Sequence, residues 1–197
     1  MSLSLEKQLT FYGAYHHNPV NVAIHMACVP LILATSIFLL SNTPAVVPLP
    51  SWLTIPSLPL NVSTIGSILY SGFYVLLEPV AGTITVPLLM GWAAFSNHFL
   101  ATTANVPLAN KVAGAVFVVS WILQFVGHGA YEKRAPALLD NLVQALVLAP
   151  FFVFMELLFK FGYRPELQKR IDIAVKSELT KLKAEKTNGA AKNGKAH

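Results

Sequence analysis

The chain has 197 residues, of which 54% are hydrophobic and only 12% charged, with a mean hydropathy of +0.56. Those values fit one membrane-embedded domain and exclude an ordinary soluble globule of this length. The formal charge of +5 belongs to a tail, because ten of the fourteen basic residues and four of the nine acids lie between Lys160 and His197. It is therefore no argument for nucleic-acid binding.

The first eighteen residues mix Leu3, Leu5, Leu9, Phe11, Tyr12 and Tyr15 with two charges. This pattern predicts an interfacial amphipathic segment with its aromatic rings at headgroup depth. It lacks the basic-then-apolar order of a cleavable signal peptide, so the first apolar helix is expected to target the chain and remain. Asn18-Pro19 is a helix start, with Asn able to cap and Pro suited to the first helical position. The first span runs from there to about Leu40 and carries Asn21 and His25 one turn apart on one face. His16 is half a turn out of phase with His25 on a continuous helix. The Asn18-Pro19 break permits the preceding segment to fold back, bringing His16 or His17 toward that face. Cys28, the only cysteine, excludes an intrachain disulfide and reads as a small core residue.

No Asp, Glu, Lys or Arg occurs between Lys7 and Glu78. The stretch from Ser41 to Asn61 contains Pro44, Pro48, Pro50, Pro56 and Pro59, and predicts a non-cytoplasmic loop whose Trp52 and Leu53 touch the interface. Further apolar segments are expected at Val62–Leu77, Val80–Leu100 (with Pro87, and His98 near its end), Val112–Phe125 and Leu142–Phe161. The last is interrupted by Pro150 and carries Glu156. Five crossings from a cytoplasmic N-terminus would put the basic tail outside, against the positive-inside tendency. An even count is expected instead, with either Val62–Leu77 or the Pro150-broken segment failing to cross and the tail cytoplasmic. Leu167, Ile171, Val175, Leu179 and Leu182 have near-helical spacing and predict a surface helix, followed by a disordered end from Thr187. The fold class is all-α: a polytopic membrane bundle of about four to six hydrophobic helices. It divides into an interfacial segment (1–18), a membrane body (19–162) and a basic tail (163–197).

The stretch QFVGHGAYEKRAPALLDN, residues 124–141, holds the densest chemistry. Gln124, His128 and Glu132 are spaced i, i+4, so a continued helix sets them about 6 Å apart in a line. Polar groups at the end of an apolar span are costly unless paired, which marks a functional site. Lys133, Arg134 and Pro136 then end the span. Apart from His197 in the tail, the chain holds five histidines, His16, His17, His25, His98 and His128. Imidazoles with a carboxylate form the donor set of a non-haem Fe(II) oxygenase, and helix bundles present such ligands inward. Spacing alone leaves three readings open: a metal enzyme, haem ligation, or a structural membrane protein whose histidines hydrogen-bond between helices. There is no HxxHH box, no HExxH, and no nucleophile–histidine pairing.

FYGAYHHNPVNVAIH and the later WILQFVGHGAYEKRAPALLDNLVQALVLAP resemble the fungal family of endoplasmic-reticulum 2-hydroxy fatty acid dioxygenases, over roughly residues 5–165. The matching positions are His16, Asn18, Asn21 and His25, then Gln124, His128, Glu132 and Pro136. His98 lies outside the pattern, and His17 is less closely tied to it than His16. The resemblance implies an Fe(II) enzyme of the endoplasmic-reticulum membrane taking a long-chain 2-hydroxy fatty acid and O2 to the acid one carbon shorter. Conversion of R-CH(OH)-COOH and one O2 into R-COOH, CO2 and water balances without outside electrons, so no reductase partner is expected. A reductant-dependent lipid hydroxylase is the alternative enzyme. On this resemblance His16, His25, His128 and Glu132 hold the iron, Glu132 either as a ligand or as the group orienting His128. Asn21 and Gln124 support the ligands or bind substrate. Lys133 and Arg134 orient the span at the interface or pair with the substrate carboxylate, Glu156 caps or hydrogen-bonds within the bundle or else binds metal, and Gly127, Gly129 and Gly162 are packing or helix-end positions.

Overall fold

The structure is a computed structural model that describes residues 4–133 and 144–193. Among these residues the regular structure is entirely helical. In chain order it comprises α1 (Leu5–Tyr15), α2 (Pro19–Leu40), α3 (Val62–Leu77), α4 (Pro79–Thr102), α5 (Val106–Val126), α6 (Ala149–Lys160) and α7 (Pro165–Asn193). Two wider π-helical turns, Gly127–Glu132 and Gln144–Leu148, continue α5 and precede α6. Arg134, Pro136 and the Asp140-Asn141 helix start lie outside the described residues.

Among the described residues three helices are long and apolar enough to cross a membrane: α2 with 22 residues, α4 with 24, and Val106–Glu132 with 27. A fourth exists if Leu146–Lys160 and Pro165–Lys181, bent by 118°, count as one span. The even count expected from the charge of the tail therefore requires that bent pair to act as one span, because α3 by itself is too short and three spans are an odd number. At 16 residues α3 is about 24 Å long, less than the hydrocarbon core of about 30 Å. Leu69, Leu76, Leu88, Val118, Val119 and Ile122 are exposed outward, which hydrocarbon tolerates and water does not.

Local chemistry sets the helix ends. Asn105 starts α5 earlier than the expected Val112, accepting from the Leu108 N–H at 3.0 Å with Pro107 in the first turn. Pro150 stands in the first turn of α6 directly after the π turn, and the Leu146 carbonyl four residues before it accepts from the Tyr70 hydroxyl at 3.1 Å. Glu78 ends α3 and caps α4 through the Ala81 N–H, while accepting from the Tyr163 hydroxyl and the Arg164 guanidinium, both at 3.1 Å. That one buried carboxylate ties the α3–α4 turn to the α6–α7 turn.

Packing follows residue size. The face of α3 carrying Ser63, Ser67 and Ser71 meets a face of α4 carrying Ala81, Thr85, Ala93 and Ser96, the small-residue contact that lets membrane helices approach closely. α2 lies along α5 and its π continuation and also touches α6. The face expected to lie at the interface in residues 1–18 turns inward: Leu5, Leu9 and Tyr12 of α1 are buried in one cluster with Phe152 of α6 and Leu167 and Ile171 of α7. Each large apolar side chain buried there stabilises by about 1.5–3 kcal/mol. The tail is helical further than expected, since α7 runs to Asn193 through Ala190, Ala191 and Lys192, all good helix formers.

Candidate metal centre

α1 stops at Tyr15 and α2 starts at Pro19, so the chain reverses within His16–Asn18. Asn18 caps α2 by accepting from the Val20 N–H at 2.9 Å, and Pro19 opens the helix. This reversal brings His16 to His25, with ring centroids 4.3 Å apart. His128, arriving from the end of α5, lies 4.8 Å from His16 and 4.9 Å from His25, and the three ring planes are steeply inclined to one another. All three are buried, and each offers a nitrogen within 4.8 Å of the other two.

The backbone sets the tautomers of two of these rings. Nδ1 of His16 is 2.9 Å from the Tyr12 carbonyl and Nδ1 of His25 is 2.9 Å from the Asn21 carbonyl. A carbonyl only accepts, so Nδ1 carries the proton in both rings and Nε2 keeps its lone pair. Burial, followed by the neighbouring His25, holds the His16 pKa well below the usual imidazole value. That ring is therefore neutral near pH 7, the form a metal ligand requires.

His128 reaches the cluster because α5 widens at Gly127 into the π turn. A residue four positions on rotates past a full turn in an α-helix but falls short of one in the wider π turn. The two deviations oppose one another, so Gln124, His128 and Glu132 keep to one side. Lys133 closes the turn in the left-handed region with φ 54°.

Glu132, expected as a ligand or as the partner of His128, has its buried carboxylate turned to the α1–α2 reversal. It accepts from the His17 N–H at 3.3 Å, the Asn18 N–H at 3.1 Å and Asn21 Nδ2 at 3.0 Å, and pairs with His17 Nδ1. The end of α5 thus holds the segment that carries His16. His17 is half exposed in that pair, and His98 is exposed on α4, outside the three-histidine group. Glu156 does not cap α6, whose N-cap is Leu148, and its Oε2 has no hydrogen-bond partner.

A cavity of about 180 Å3 opens from the histidines. His16, His25, His128 and Gln124 line it together with apolar side chains including Val29, Leu33, Trp121 and Phe152. Gln124 is buried with Nε2 unpartnered, and Asn21 is fully buried with Oδ1 unpartnered. Tyr12 had not been expected here. Its ring stacks on His16 at 4.1 Å between centroids, and its unpartnered hydroxyl belongs to a side chain lining the cavity. Burial, and then the Glu156 carboxylate, push its phenol well above the ordinary value, so it stays protonated. The available signal was its place four residues before His16, as Asn21 stands four before His25.

Gly127 is where α2 crosses the π turn, and a Cβ there would overlap Asn21 Oδ1. Gly127→Ala is expected to separate α2 from α5 and weaken retention of a divalent metal at the three histidines at least about tenfold, since Asn21 and His25 shift together. Metal content after dialysis against a graded chelator measures this. Gly129→Ala, where an added Cβ meets open space, is the control.

Comparison with known proteins adds a family. A family model described as "2-hydroxy-palmitic acid dioxygenase Mpo1-like" matches residues 2–161. The 2-hydroxy-palmitic acid dioxygenase MPO1 of Saccharomyces cerevisiae is 40% identical over 171 residues, covering 86% of this chain and 88% of that protein. No solved structure matches.

Proposed function

The chain belongs to the Mpo1-like family and is an enzyme of 2-hydroxy fatty acid oxidation; from that premise we propose an Fe(II)-dependent dioxygenase that removes one carbon from long-chain 2-hydroxy acids. The observation that carries the reading is the group of three buried imidazoles set at one part of an apolar cavity. The donor set fits a divalent transition metal: imidazole nitrogens in a tight group, two of them with Nε2 freed by a backbone bond at Nδ1. Held by His16, His25 and His128, Fe(II) would supply positions for the carboxylate and hydroxyl of the substrate and activate O2.

The protein's own groups do the rest. Gln124 Nε2 and the Tyr12 hydroxyl are donors of the cavity wall without a partner among the described residues, suited to the carboxylate of the substrate. The apolar side chains beyond them take the alkyl tail and exclude water. Glu132 and Asn21 are positioning residues, fixing the α1–α2 reversal so that His16 and His25 converge. The reaction consumes one O2 and yields the shorter acid, CO2 and water, so it draws no electrons from a reductase. The reading includes the endoplasmic-reticulum membrane as the site of action and a cytoplasmic basic tail.

The test is anaerobic purification with Fe(II), followed by 2-hydroxypalmitic acid and air without reductant, with products read by mass spectrometry. Pentadecanoic acid is the expected product. Turnover that appears only with an added reductant points to a hydroxylase. Iron-free, inactive but folded protein overturns the assignment.

A further inference from the structure

The cavity at the histidines does not end in featureless packing. Its lining follows α2 from His25 past Val29 and Ile32 to Leu33 and Ser36. On the other side lies a second cavity of about 70 Å3, which runs on along α2 to Leu40 between α2, α3 and α4. Leu33, Ser36 and Tyr70 line both cavities and so form the partition.

We propose that Leu33, Ser36 and Tyr70 are the stop that sets the length of acyl chain the enzyme accepts. This rests on the reading that the first cavity seats the substrate tail. From His25 to Ser36 the helix rises about 16 Å. One leaflet of a hydrocarbon core of about 30 Å, the room taken by one membrane acyl chain, is about 15 Å. A chain with its carboxyl end at the histidines therefore meets the partition at about full membrane length.

The partition is fixed and apolar in effect. The Tyr70 hydroxyl donates to the Leu146 carbonyl at 3.1 Å, which holds the ring as a plate. Ser36 donates to the Ile32 carbonyl at 2.7 Å, so it presents no free donor to a chain end. Beyond it, Ser67 donates to the Ser63 carbonyl at 2.8 Å and Ser63 to Asn61 Oδ1 at 2.9 Å. The second cavity is therefore space that a longer alkyl chain can enter once the partition is cut back.

Opposite substitutions move the limit in opposite directions. Leu33→Ala joins the two cavities and shifts the ratio of specificity constants toward 2-hydroxyarachidic over 2-hydroxypalmitic acid by about tenfold or more. Ser36→Phe extends the wall toward the histidines and shifts preference to 2-hydroxymyristic acid. Gly66 lines only the second cavity, and a Cβ there meets nothing within 4 Å. Adding Gly66→Leu to Leu33→Ala refills the space and restores the parent profile.

Displacement of a fluorescent fatty acid by plain saturated acids of the same lengths reads the limit without turnover. Active variants with unmoved length profiles overturn the stop and leave the reaction standing. Shifted binding limits in a protein that makes no shortened acid support the stop and sink the reaction. Parent protein that binds no fatty acid overturns both.

Discussion

Replacing His128 with alanine yields a folded protein that holds no stoichiometric iron and makes no shortened acid above background. His128 supplies one of three nitrogens, and the remaining pair comes from the two sides of a single chain reversal. Losing a group that merely supports a ligand typically costs ten- to a hundredfold in metal affinity, so losing a ligand is expected to exceed about a hundredfold. Metal content by plasma mass spectrometry and turnover on 2-hydroxypalmitic acid are the paired measurements. His98→Ala, an exposed change on α4, should leave both at the parent level. Full iron occupancy in the His128 variant would remove the three-histidine site from consideration.

Glu132→Ala is expected to damage the same site without touching a proposed ligand. It leaves the His17 N–H, the Asn18 N–H and Asn21 Nδ2 without their acceptor. A buried donor deprived of its partner costs about 1–3 kcal/mol, and those at the reversal recover part from solvent, so the sum is about 3 kcal/mol. Iron affinity should fall by about ten- to a hundredfold as the His16 segment loosens from α5. Glu132→Gln keeps one acceptor oxygen and should fall between the parent and Glu132→Ala. His17→Ala removes only a half-exposed partner and should cost no more than about 1 kcal/mol. Chemical unfolding in detergent with a chelator titration ranks the three. A His17 variant as damaged as Glu132→Ala would mean that the His17 side chain, and not the backbone donors, holds the reversal.

Much of this arrangement was legible before the fold was in view. Asn18 as a cap, Pro19 as a first-turn residue and Asn21–His25 on one face are decided by neighbours within a turn, and the chain carries those neighbours in order. The absence of charge from Lys7 to Glu78 and the placement of Lys and Arg in the tail likewise declared a membrane body with a basic end. Less of the detail around Glu132 was visible. Its spacing from His128 suggested a ligand or its support, but the carboxylate meets backbone donors as far as 115 residues away along the chain. The inward face of α1 was also hidden, because its Leu and Tyr residues suit lipid and protein equally well. The packing of α6 and α7 against α1 makes protein the neighbour.

Composition, periodicity and capping by themselves thus determined an all-helical membrane body, most helix limits and the pool of histidines from which a site can be built. Tertiary structure decided which three meet, that Gly127 must lack a side chain where α2 crosses, and that Leu33, Ser36 and Tyr70 line both cavities. The physical reason is one of range. Helix formation is written in contacts three or four residues apart, whereas a metal site and a cavity wall exist only where separate helices cross, and crossing geometry is a property of all the packed side chains together.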